Sequence, residues 1–124
     1  MNHSLQMGVQ EFLQSIDCPY NGNIQSPLSF NYGEQGRVEL EDLGDRLMVA
    51  LVQDLGPSRE DTLTILLKNL YHGLVHGTLD FQLQVGCLGD SQIIIATQLS
   101  HDLARGHVIA DAIDEILSFV EEAL

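Results

Sequence analysis

Basic residues are scarce in this chain. Lys and Arg number 5 against 18 Asp and Glu, which gives a formal net charge of −13. Phosphate backbones repel such a chain, so nucleic acid is set aside as a partner. An anionic membrane surface is set aside for the same reason. The charge favours solubility and a basic partner. Cysteine is rare too. Cys18 and Cys87 lie far apart in sequence, and two lone cysteines without a Cys-x-x-Cys spacing read as free thiols. Residues 1–6 have neither a basic start nor an apolar run of signal-peptide length. No stretch approaches the ~20 apolar residues of a membrane span.

Catalytic signatures are also missing. There is no Gly-x-Ser-x-Gly elbow, no P-loop and no Gly-x-Gly-x-x-Gly. His72 and His76 stand at i, i+4, a spacing that can hold zinc on a helix. Neither an intervening Glu nor a convincing third ligand accompanies them. Gly73 and Gly77 mark a helix end, where a histidine serves the dipole or the cap. His101 and His107 flank the start of the last helix and read as capping or solvated groups. Glu39, Glu41, Asp42 and Asp45 read as a solvated polar face rather than an acid/base pair. Cys18 has no basic neighbour to lower its pKa. The expectation is a protein that is not an enzyme and needs no metal, nucleotide or other cofactor.

What is present is a foldable chain. Hydrophobic residues make up 44% of 124 residues, enough for one domain over 1–124 with its own core. Leu5, Val9, Phe12, Leu13 and Ile16 fall on one face of a helix over 5–16. Pro19 ends it, and a polar loop from Tyr20 to Ser26 follows. Residues 28–32 alternate as a short strand. Two hairpins come next in outline, one turning at Gly44-Asp45 and one at Gly89-Asp90. Glycine leading a two-residue loop suits a type II′ turn. Between them Leu63, Leu66, Leu67, Leu70 and Leu74 repeat at helical spacing over 60–75. The last helix begins after Gly106. Ile109, Ala112, Ile113, Ile116, Leu117, Val120 and Leu124 form its apolar stripe. The expected fold class is α+β, in the order α-β-β-β-α-β-β-α, a twisted antiparallel sheet flanked by three helices.

The first turn sets a register in which Val38 faces Leu51 and Leu40 faces Val49. Val38, Leu40, Leu47, Val49 and Leu51 then share one face. The other face mixes Arg37, Glu39, Glu41 and Arg46 with Met48, Ala50 and Val52. In the second hairpin, a two-residue loop places Phe81, Leu83, Val85, Ile94 and Ala96 on one face. Asp80, Gln82 and Gln84 share the other with Ile93, Ile95 and Leu99. Helices can bury one face of each hairpin. The apolar surplus on the second faces has two readings: further helices cover it, or it is an interaction surface.

The helix 5–16, the strand pair 38–52, the Leu-rich helix 62–75 and the helix 108–124, in a small acidic chain, together resemble the class I type III secretion chaperones, the Tir chaperone family. The resemblance implies a homodimer in the bacterial cytoplasm. It would bind an extended N-terminal segment of a secreted effector and keep it competent for secretion, with components of the secretion apparatus as further partners. Effector segments in that family wrap over the first helix and the sheet. The candidate cargo residues are therefore Leu5, Val9, Phe12, Leu28, Phe30, Met48, Ala50 and Val52. Strand 28–32 is the candidate edge for strand addition. Dimerisation in the family involves the second helix and the neighbouring sheet, here Leu63, Leu66, Leu67, Leu70, Ile93 and Ile95. A regulatory or scaffold protein on the same fold, sequestering a secretion-system partner, is the alternative.

Overall fold

The structure, a computed structural model, describes residues 2–18 and 24–123. Helix α1, His3–Ser15, is capped by Asn2, whose side chain accepts the Leu5 N–H at 2.9 Å. That cap satisfies one of the donors a helix start leaves orphaned. Strands β1, Leu28–Asn31, β2, Arg37–Asp42, and β3, Arg46–Asp54, follow. Helix α2, Arg59–His76, then leads to β4, Gln84–Leu88, β5, Gln92–Ser100, and α3, Gly106–Ala123. This is the expected order. The strands form one antiparallel sheet ordered β1-β2-β3-β5-β4, which leaves β1 and β4 at its edges. The loop expected at Tyr20 falls partly on 19–23, and the last stripe position, Leu124, is also outside the described residues.

The first hairpin has the expected register, Val38 opposite Leu51 and Leu40 opposite Val49. Gly44, at φ 100°, turns it, and the Leu43 N–H closes on the Arg46 carbonyl at 2.9 Å. The second hairpin differs from expectation by one residue. Its loop is Gly89, Asp90 and Ser91, because Leu88 pairs with Gln92. Ser91 is withdrawn from the ladder: its carbonyl accepts the N–H groups of Leu55 at 2.9 Å and Gly56 at 3.2 Å. The Gly89 carbonyl takes Arg59 Nη1 at 2.6 Å. These bonds tie the turn to the start of α2. A slip of one residue exchanges the faces of a strand. Val85 therefore lies opposite Ile95, and Gly86 opposite Ile94.

One face of the sheet carries Val38, Leu40, Leu47, Val49, Leu51, Ile93, Ile95 and Leu99, all buried in a single core. Leu5, Val9 and Phe12 of α1, Leu66 of α2 and Ile109, Ile113 and Ile116 of α3 join the same core. All three helices therefore pack on one side of the sheet, giving two layers. The close α1–α3 contact depends on glycine. A Cβ at Gly106 would come within 2.6 Å of Glu11 Cβ, and one at Gly8 would overlap the Ala104 carbonyl.

Candidate functional site

The opposite face of the sheet has no helix over it among the described residues. Met48, Ala50 and Val52 of β3 run beside Ile94 and Ala96 of β5 on this face. None of the five belongs to the main core. Met48 and Ile94 are half-buried. Ala50, Val52 and Ala96 are buried, although their neighbours on this face are strand side chains. Arg37 stands opposite Val52 and Glu39 opposite Ala50, and the two charges pair at 2.9 Å. Of the two readings of the apolar surplus, coverage of this face by further helices is not seen among the described residues.

A second surface lies at the β1 edge. The Tyr32 N–H bonds the Gly36 carbonyl at 2.8 Å, continuing the ladder in which Phe30 faces Val38 and Leu28 faces Leu40. In an antiparallel pair alternate residues exchange their hydrogen bonds. The N–H and C=O of Ser29 and Asn31 therefore point to the outer edge, where no described strand lies. Beside this edge is an open groove of about 710 Å³, whose lining includes Ile16, Cys18, Phe30, Tyr32 and Glu34. Phe12, Phe30 and Tyr32 form an aromatic series, with centroids 6.1 Å and 6.5 Å apart. Phe12 is buried at its base, while Phe30 and Tyr32 are half-buried.

A third surface is on α2. Leu67, Tyr71, Leu74 and Val75 follow at i, i+4, i+7 and i+8, and all four are exposed, Tyr71 at 72%. Half-buried Leu63 and Leu70 border this stripe.

The structure separates the sequence candidates accordingly. Of the cargo residues, Leu5, Val9 and Phe12 face the core and offer no side chain to a partner. Leu28 and Phe30 are half-buried on the edge strand. Met48, Ala50 and Val52 share the uncovered sheet face, but only Met48 is half-buried; Ala50 and Val52 are buried between neighbouring strand side chains and offer a partner little. Of the dimer residues, Leu66, Ile93 and Ile95 are fully buried within the protomer, so they cannot meet a second copy. The reason for Ile93 and Ile95 is the three-residue turn. Sequence reasoning overlooked Tyr71 and Val75; their spacing with Leu67 and Leu74 was the available signal. It also overlooked Ile16 as a groove residue, and it reached Tyr32 only as the end of the candidate edge strand 28–32.

The histidine pair sits at the end of α2, with rings 4.3 Å apart. Among the described residues no group of three or more His, Cys, Asp or Glu could hold a metal ion. His72 borders a cleft of about 220 Å³ between α2 and α3. Glu115 in that cleft accepts the backbone N–H groups of Asp80 at 2.7 Å and Phe81 at 2.8 Å, so its carboxylate pins the α2–β4 connection. Both cysteines are exposed free thiols. Glu11 and Arg105 pair across α1 and the start of α3 at 3.1 Å. The hydrogen bond from Arg105, aided by its charge, holds the Glu11 carboxyl below its usual value. No described helix is long and apolar enough to cross a membrane.

No family model matches the sequence, and no curated protein matches it. Solved structures do. The structure of the ExoT–SpcS complex from Pseudomonas aeruginosa matches 98% of this chain and 98% of its own, with TM-score 0.65 and 14% identity. The Yersinia pestis type III secretion chaperone SycH, solved with a stable fragment of YscM2, matches 97% of this chain and 99% of its own, with TM-score 0.65 and 14% identity. YbjN from E. coli, for which a role in transcription regulation has been suggested, matches 93% of this chain and 87% of its own, with TM-score 0.61 and 9% identity. The chain has the α+β fold of SycH and of the ExoT–SpcS match over nearly its whole length.

Proposed function

We propose that this chain, as one domain over 1–124, is a class I type III secretion chaperone of the Tir chaperone family. It binds an extended N-terminal segment of a secreted effector in the bacterial cytoplasm and keeps it soluble and competent for secretion. The observation that carries this reading is the β1 edge, unpaired by any described strand, beside an apolar groove. An extended segment adds a strand through Ser29 and Asn31, and every second side chain lies over Leu28, Phe30 and Tyr32. Binding of this kind needs no cofactor and no catalytic group. The fold shared with SycH, which was solved with a partner fragment, supports it.

The protein acts as a homodimer in this reading. The exposed stripe Leu67, Tyr71, Leu74 and Val75 takes the place of the buried Leu66, Ile93 and Ile95 as the dimer surface. Half-buried Leu63 and Leu70 stay at its border. On the uncovered sheet face, half-buried Met48 offers a further apolar contact to the same cargo, whereas Ala50 and Val52 beside it are buried. The test is capture of partners by the tagged full chain in its host, followed by secretion of each partner with and without this protein. Loss of secretion on deletion is expected. A captured partner that is never secreted instead favours the second reading, a regulator that sequesters a secretion-system component. The likeness to YbjN motivates that alternative.

A further inference from the structure

The groove beside β1 is one-sided in charge as well as apolar. Its floor is Ile16, Phe30 and Tyr32, and Glu34 is exposed at the end where β1 leaves the sheet. Asp17, between the lining residues Ile16 and Cys18, is also exposed. Neither acid has a cationic partner among the described residues. The five basic side chains of the molecule are Arg37, Arg46, Arg59, Lys68 and Arg105, and none lines the groove. Three are engaged elsewhere: Arg37 with Glu39, Arg59 with the Gly89 carbonyl and Arg105 with Glu11. An anionic side chain of a bound segment would meet repulsion here with nothing to offset it.

We infer that the groove selects an extended segment with apolar residues at every second position and a Lys or Arg at the end lying beside Tyr32 and Glu34. This inference rests on the chaperone reading and narrows the partner it accepts. Ser29 and Asn31 supply the outward backbone bonds, so the residues of an added strand opposite Leu28, Phe30 and Tyr32 turn their side chains to the groove side. A further residue along that strand passes the apolar floor and reaches the acidic end. A long Lys or Arg stem packs on the rings there and carries its charge to Glu34 and Asp17. The backbone and the apolar positions hold the segment. The charge sets its placement and excludes acidic competitors.

The experiment measures fluorescence anisotropy of three labelled nonapeptides on the full-length protein at low salt. All three alternate Val and Ser, and they carry Arg, Ser or Glu at both ends. The Arg peptide is expected to bind about fivefold more tightly than the Ser peptide, and the Glu peptide more weakly than either. In Glu34→Gln the preference of Arg over Ser should fall below about twofold, while the Ser peptide binds as before. In Tyr32→Asp, with its circular dichroism checked, all three should be lost. Equal binding of the three peptides to the wild type overturns the charge rule and leaves the groove reading standing. A preference undiminished in Glu34→Gln overturns it too, because it then reflects the net charge of the whole molecule. Failure of all three to bind the wild type overturns the groove as the docking site.

Discussion

At the scale of single residues, the polar contacts that matter join elements rather than build a reactive centre. Glu115 reaches across from α3 to hold two backbone N–H groups before β4. Hydrogen bonds to a charged acceptor are stronger than neutral ones, but this one is partly exposed. Glu115→Ala is expected to lose about 1–2 kcal/mol of stability in urea unfolding. An unchanged midpoint would mean that water replaces the carboxylate at no loss. The Glu11–Arg105 pair has a definite pH signature. The folded-state pKa of Glu11 lies below its unfolded value. Its stabilising effect is therefore complete above the ordinary carboxylate range and disappears as the pH falls through the lowered value. The stability difference between wild type and Arg105→Ala should be present at neutral pH and vanish in acid. A difference that persists at the acid end would assign the role of Arg105 to packing.

At the scale of elements, most of the fold is legible in the sequence, and the exceptions have local causes. The stripes of α1 and α3 and the first hairpin follow from apolar spacing and one glycine turn. The second hairpin does not, because Gly89-Asp90 suits a two-residue loop. Only the hydrogen bonds of Ser91 to Leu55 and Gly56 make the loop three residues long, and those partners are distant in sequence. That single residue moved Ile93 and Ile95 from a supposed interface into the core. It also moved Ile94 and Ala96 to the uncovered face. Ile95→Glu is accordingly expected to unfold the protein, since it buries an unpaired charge among Leu51 and Val85. Leu74→Glu, at an exposed site, should fold normally. Circular dichroism of the two variants decides the register: a well-folded Ile95→Glu protein would contradict it. The role of Gly106 was half legible. It marks a helix start, but its packing against Glu11 needs the tertiary contact. Gly106→Val should wedge α1 from α3 and cost about 1–3 kcal/mol.

At the scale of the molecule, the described helices all lie on one side of the sheet, and the chain displays apolar side chains in three places. The acidity of the whole, −13, keeps such a surface soluble and repels copies that approach out of register. The candidate site was legible as a region rather than as side chains. Alternation marked 28–32 as a strand and the resemblance made it the candidate edge, but helical periodicity cannot tell a face that meets cargo from one that meets the core. Leu5, Val9 and Phe12 proved to be the latter. If the α2 stripe joins two copies, light scattering gives a dimer for the wild type and a folded monomer for Leu74→Glu. A wild-type monomer at micromolar concentration would remove the dimer from the proposal. The central claim is that cargo adds a strand at β1, and amide hydrogen exchange tests it residue by residue. In the free protein the Ser29 and Asn31 N–H groups face outward and should exchange quickly. When the protein is saturated with a captured effector segment, both should slow by about tenfold or more. Unchanged exchange at Ser29 and Asn31 in the saturated complex would show that the segment binds elsewhere.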